Sequence, residues 1–363
     1  MKKIFTLTAI IIAPWLANAQ DEQFIYGRIS MTDGKTYEGP IRWGKEEAYW
    51  TDIFNAAKNR NENLRYLSNE DRRDLDDRQY DHRHDGWNHF SRWADSFWDD
   101  NDGNRDNSYT HQFACQFGEI KTIIPQGSKW VDLVLQNGTK LELSGEGYND
   151  VGLDIRVIDR DLGEVEIYWN RISKIDFINT PSKLMNRFGK PLYGTVESFG
   201  TKFTGYIQWD HDERLSTDKL DGDSDDGDLS IEFDKITFED KATPALASYD
   251  QFKNQKELSA TVKTFGGDTY TGRLVYDLDE EFDFELLQGK DHDIEYTTPF
   301  RTVKKIKTYD DTRCEVELKN GQKLMLSDGQ DVNERNQGVL VFVSGKSDPK
   351  YVPWDKVSEI EFR

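Results

Sequence analysis

One hairpin is written three times in this chain. It reads YGRISMTDGKTYEGPIRWGKEE from Tyr26, YGTVESFGTKFTGYIQWDHDE from Tyr193 and ATVKTFGGDTYTGRLVYDLDE from Ala260. Each copy holds an alternating strand, a turn glycine (Gly34, Gly200, Gly267), a second glycine (Gly39, Gly205, Gly272) and a strand ending in Trp43, Trp209 or Tyr276. Strand side chains alternate between faces, so Ile41, Ile207 and Leu274 share a face with those three aromatics. An apolar shared face places all three aromatics in a core.

Each copy is followed by a closing segment with an aromatic three residues before Ile or Val: Phe117 and Ile120, Phe233 and Ile236, Phe300 and Val303. A second kind of unit opens VDLVLQNGTKLELSG from Val131 and closes WNRISKIDF from Trp169. It returns as VELKNGQKLMLSD from Val316 and WDKVSEIEF from Trp354. The three-residue step does not fit strand alternation and predicts one turn of 3₁₀ helix before each last strand. Five related units follow, at a period of roughly 50 to 60 residues outside one insertion, which marks an array of small supersecondary domains.

Strand, glycine turn, bent second strand (DGKTYEGPIRW) and 3₁₀ connection together resemble the small five-stranded barrels of the Sm-like and SH3-like class. The chain also looks like uncharacterised exported bacterial proteins in which such hairpins pair with an NG-containing second barrel. The resemblance implies an all-β fold of tandem five-stranded barrels and brings no biochemical activity with it. The RNA-binding role of Sm-like rings does not transfer, because the basic and glycine signature of their second motif is not evident in the closing strands. The expected organisation is a signal peptide over 1–19 and a first barrel pair over 20–180 with a partly helical insertion at about 55–110. A single middle barrel over 190–240, a linker over 241–257 and a C-terminal barrel pair over 258–363 follow.

The first residues, MKKIFTLTAIIIAPWLANAQ, carry Lys2 and Lys3, a short apolar run and the small-residue site Ala17-Asn18-Ala19, the pattern of a cleaved export signal. The apolar run is shorter than the roughly 20 residues that a bilayer needs, so no membrane insertion is expected after cleavage, and the address is periplasmic or extracellular. Without Lys2 and Lys3 the formal charge goes from −21 to −23. Such a surface repels phosphate backbones and anionic headgroups and excludes nucleic acid as a partner. It leaves cations, neutral glycans and basic protein partners. The two cysteines, Cys115 and Cys314, each lie in phase with apolar neighbours, so buried free thiols are expected in different units, with a disulfide as the other reading.

The insertion, without counterpart in the other copies, carries Trp87, Phe90, Trp93 and Phe97 at helical spacing. This stripe is either a face that packs on the parent domain or a partner-binding platform for protein or glycan. His82 and His84, with Asp81 and Asp85 beside them, offer ligands to zinc or copper if the segment is extended, although Arg78 and Arg83 oppose a cation. In DGDSDDGDLSIE, Asp221, Asp223, Asp225 and Glu232 fall at positions 1, 3, 5 and 12 of a calcium loop. Position 6 holds Asp226 where such loops need glycine, and a solvated acidic loop between strands is the competing reading.

There is no nucleophile elbow, HExxH, Walker loop or CxxC. The sequence therefore points to a non-enzymatic exported interaction or scaffold protein that binds a protein partner. The alternatives are a glycan-binding or calcium-dependent adhesion module and an accessory subunit of an envelope enzyme.

Overall fold

The computed structural model describes residues 21–58, 60–75, 111–145, 150–198, 200–209, 212–224, 227–233, 244–291 and 294–363. The fold is all-β. Ten strands form the first sheet: β1 (Tyr26–Met31), β2 (Thr36–Trp43), β3 (Ile53–Lys58), β4 (His111–Gln116), β5 (Ile120–Pro125), β6 (Trp130–Leu135), β7 (Lys140–Ser144), β8 (Ile155–Asp159), β9 (Gly163–Ile167) and β10 (Ile172–Phe177). Their order is β4-β3-β7-β6-β5-β10-β1-β2-β8-β9, antiparallel throughout.

Two separate hairpins follow, β11 (Tyr193–Ser198) with β12 (Thr201–Tyr206), and β13 (Lys219–Ser224) with β14 (Gly227–Glu232). The second ten-stranded sheet contains β15 (Ser259–Thr264), β16 (Thr269–Val275), β17 (Leu286–Asp291), β18 (Ile294–Pro299), β19 (Val303–Thr308), β20 (Arg313–Leu318), β21 (Lys323–Ser327), β22 (Val339–Val343), β23 (Lys350–Val352) and β24 (Val357–Phe362). Its order, β18-β17-β21-β20-β19-β24-β15-β16-β22-β23, reproduces that of the first sheet strand for strand.

Strands that follow one another in sequence do not all stay together: β2 and β3 part, as do β4 and β5, β7 and β8, and β9 and β10. The repeated hairpin β1–β2 is flanked by β10 and β8, and β3 pairs with β4 and β7, never with β2. Packing explains the crossing: Ile41 and Trp43 at the end of β2 lie opposite Val157 and Ile155 of β8, and all four are fully buried. The second glycine of the hairpin admits that neighbour. A Cβ at Gly39 would stand 2.1 Å from the Ile158 carbonyl oxygen, and one at Gly272 would stand 2.1 Å from that of Phe342 on β22.

The expected 3₁₀ turns are present at Phe117–Glu119, Trp169–Arg171, Phe300–Thr302 and Trp354–Lys356, each with its leading aromatic buried. Those aromatics close the two cores in matching ways. Trp43 meets Phe117 at 5.3 Å and Trp169 at 5.9 Å, while Tyr276 meets Phe300 at 5.1 Å and Trp354 at 5.9 Å. Cys115 and Cys314 are both free and buried, one in each core.

Between the sheets, Tyr249 and Phe252 pack into the first core. Tyr249 stacks on Trp50 at 4.4 Å, and Phe252 lies where any side chain at Gly118 would have to stand. The insertion leaves the first sheet after Lys58, which pairs with His111, and so begins inside a hairpin, a few residues later than the sequence suggested. Its first part packs on the second sheet, where Leu67 and Leu75 join Val275, Leu278, Leu340 and Tyr351.

Candidate functional site

The turn after each copy of the hairpin is built around carboxylates. The aromatic pairs across the turn with a glutamate four residues later: Trp43 with Glu47, Trp209 with Glu213, Tyr276 with Glu280. Five residues further on, a second carboxylate accepts two backbone N–H groups of the same turn. Asp52 takes those of Ala48 and Tyr49, both at 2.7 Å. Asp218 takes those of Arg214 and Leu215 at 3.0 and 2.8 Å, and Glu285 takes those of Glu281 and Phe282 at 2.6 and 2.8 Å. Buried turn amides need such acceptors, which explains an acidic residue in a buried turn.

Each of these carboxylates also meets a cation from elsewhere in the chain. Arg214 binds Asp52 at 2.6 Å, Arg42 binds Asp218 at 2.7 Å, and Lys58 binds Glu285 at 2.7 Å. The first two pairs are reciprocal and join the first and middle turns face to face. Around them Phe24, Ala48 and Tyr49 pack with Phe188 and Leu215. The third pair joins the two sheets, aided by Arg301 on Glu119 at 2.8 Å.

A cavity of 70 Å³ opens beside Lys58's partners, lined by His111 of the first sheet and by Asp279, Glu280, Glu285, Gln288 and Asp331 of the second. Next to it Asp277, Glu280 and Asp331 bring one carboxylate oxygen each within 4.8 Å of the others. Asp277 stands in left-handed backbone at φ 47°, at the place where Gly44 stands at φ 54° in the first copy. Asp331 accepts the Gln288 N–H at 2.6 Å, just as Asp150 accepts that of Asn55 at 2.5 Å in the first sheet. The carbonyls of the same two aspartates hold the core aromatics, Asp150 receiving Trp43 Nε1 at 2.9 Å and Asp331 the Tyr276 hydroxyl.

Burial sets the chemistry of this cluster. Desolvation pushes the Asp150 and Asp331 carboxyls up to about 7. Desolvation, then the neighbouring Asp331, holds Asp277 and Glu280 well above the carboxylate range, and desolvation, then Asp150, does the same to Glu47. Burial alone would lower the Lys58 pKa, but Asp279 and Glu285 outweigh it and raise the group, keeping it charged. His111 is lowered by desolvation. Glu47 Oε2 and Glu280 Oε2 are buried with no hydrogen-bond partner among the described residues. Carboxyls so crowded are relieved by taking up protons or by sharing a cation, and Asp277, Glu280 and Asp331 are the residues that could hold one.

The middle hairpin is the other site, and its aromatic overturns the expectation from strand parity. Trp43 and Tyr276 are fully buried, whereas Trp209 is 55 % exposed. Val196 is 50 % exposed, while its counterparts Ile29 and Val262 are fully buried. The cause is the sheet around it: among the described residues, no strand lies beside β11 or β12 where β10 and β8, or β24 and β22, cover the other copies. Among the described residues, a Cβ at Gly205 would meet nothing within 4 Å.

Trp87, Phe90, Trp93 and Phe97 lie outside the described residues, as do His82, His84 and Asp225. Asp221 and Asp223 stand on the backbone of β13, opposite Ser230 and Asp228, and Glu232 stands on β14 opposite Lys219. The sequence did not single out Asp150 and Asp331. The shared Asp-Val pair at Asp150-Val151 and Asp331-Val332, downstream of Ser144 and Ser327, was the available signal. Comparison with protein-family models, curated proteins and solved structures returned no match to this chain.

Proposed function

We propose that this chain is a non-enzymatic exported scaffold that binds a protein partner through the uncovered hairpin β11–β12. The observation that carries this reading is the exposure of Val196 and Trp209 at positions that are fully buried in both other copies of the hairpin. Exposed apolar residues beside open strand edges are what a polypeptide partner covers. Export rests on the Lys2–Ala19 leader, and the acidic surface favours a partner that is neutral or basic.

In this reading each ten-stranded sheet is a pair of interlocked five-stranded barrels of the Sm-like and SH3-like kind. One barrel takes β1, β2, β8, β9 and β10, and the other takes β3 to β7. The 3₁₀ turns before β5 and β10 support that division, as does the crossing of β2 to β8. The buried carboxylates serve the scaffold, since Asp52, Glu285, Asp150 and Asp331 are spent on backbone amides.

The test is affinity capture from envelope extracts with wild type, Val196→Asp and Trp209→Ser, followed by photo-crosslinking from position 209. A protein retained by wild type, lost from both variants and crosslinked through position 209 supports the proposal. An identical captured set from all three proteins contradicts it.

A further inference from the structure

Resting on that reading, we infer that the partner supplies an antiparallel β-strand laid along β12, in the place that β8 takes on β2 and β22 takes on β16. The two complete sheets describe the missing strand. On β2, Val157 lies opposite Ile41 and Ile155 opposite Trp43; on β16, Val341 lies opposite Leu274. Val339, two residues along β22 from Val341, falls at the place that Ile155 takes two residues along β8 from Val157. The occupant therefore carries β-branched residues two apart, facing Ile207 and Trp209, and sets a backbone carbonyl over Gly205. β-Branched side chains suit such a half-buried strand, and main-chain pairing to a sheet edge is an established mode of peptide recognition.

Gly205 is the residue that marks the slot. Gly39 and Gly272 are glycines because a carbonyl stands 2.1 Å from where their Cβ would be. Among the described residues Gly205 has no such neighbour, and they give no steric reason for glycine there. An incoming strand does.

Among the described residues, no strand of this chain takes that place. β8 and β22 are engaged within their own sheets. Residues 76–110 contain no isoleucine and no valine, so they lack the β-branched alternation. Residues 234–243 carry Ile236 in the closing segment that corresponds to β5 and β19, strands that pair with β6 and β10 or β20 and β24, not with β2 or β16.

The probe is a fluorescein-labelled peptide of residues 153–162, LDIRVIDRDL, which contains β8. Its anisotropy is followed on titration with the full chain, with Gly205→Val, and with a Val157→Pro version of the peptide. Saturable binding to wild type, weakened about tenfold or more by Gly205→Val and by Val157→Pro, with the thermal transition of the Gly205→Val chain unchanged, is expected. Absence of saturable binding to wild type, or binding that Gly205→Val leaves intact, overturns the inference. Where Gly205→Val lowers the thermal transition, Gly205→Ala and the proline peptide decide by the same criterion. The broader proposal fails separately: a partner lost with Val196→Asp and Trp209→Ser but kept by Gly205→Val leaves the scaffold reading standing and removes the strand register.

Discussion

The Arg42 guanidinium grips Asp218 with two nitrogens, at 2.7 and 3.0 Å, from a position that is 5 % exposed. The remaining donors of Arg42 reach the carbonyls of Lys45 and Asp212. With Arg214 on Asp52, this fixes the middle turn against the first and holds β11–β12 beside the first sheet. Arg42→Ala leaves Asp218 without its cation, and breaking a buried pair in that way costs about 3–5 kcal/mol. The expected result is earlier proteolysis within residues 190–233 while the C-terminal sheet stays resistant, read by limited digestion and mass spectrometry.

Lys58 plays the same part between the sheets, 2.7 Å from Glu285 and 3.4 Å from Asp279. Lys58→Met keeps the length of the stem and removes the charge. Two buried carboxylates then face each other uncompensated, and a loss of about 3–5 kcal/mol is expected in chemical denaturation. Lys58→Met combined with Glu285→Gln and Asp279→Asn should recover most of that loss, because no unpaired charge remains.

Stability should fall as pH rises toward neutrality. Asp150 and Asp331 hold their protons to about pH 7 in the folded chain, whereas unfolded carboxyls release theirs near pH 4. The folded state thus binds more protons between those limits, and its advantage is lost as pH climbs through 7. A proton on Glu280 also gives its unpartnered Oε2 a hydrogen to donate within the cluster. Thermal unfolding between pH 5 and pH 8 should show a higher transition at the acid end. Glu280→Gln, neutral at every pH, should raise the transition at pH 8 and flatten the profile.

Much of the fold was legible from residue spacing. The turn glycines sit in left-handed backbone at Gly34, Gly200 and Gly267, as their three-fold recurrence required. The step from Phe117 to Ile120 marked a 3₁₀ turn because no strand puts residues three apart on one face. What spacing does not encode is which strand lies beside which. The pattern of Ile41 and Trp43 demands an apolar neighbour, but β3 and β8 are both apolar, and only the three-dimensional packing chose β8. Trp209 was misplaced for the same reason: parity says which face an aromatic shares, not whether anything covers that face. The cavity was less legible still, since Asp331 comes from a segment far from the turn that holds Asp277 and Glu280, and all three look in sequence like any other acidic residues.

Glycine substitutions separate the covered hairpins from the open one. Gly39→Ala drives a methyl group into a backbone carbonyl that cannot step aside, and overpacking of this kind costs at least ~2 kcal/mol. Gly272→Ala should cost a similar amount in the second sheet. Gly205→Ala meets nothing among the described residues, and its effect should stay within about 0.5 kcal/mol, as for an ordinary surface change. Equilibrium denaturation of the three variants checks the contrast.

Among the described residues β12 lies open where β2 and β16 are covered, and backbone hydrogen exchange of the free protein reads this directly. Segments covering residues 36–43, 201–206 and 269–275 report the three hairpins side by side. Slow exchange is expected in the first and last and fast exchange in the middle one, with protection there appearing on addition of the residue 153–162 peptide. Equal protection of all three segments in the free protein would show that β12 is already covered and would contradict an open strand edge.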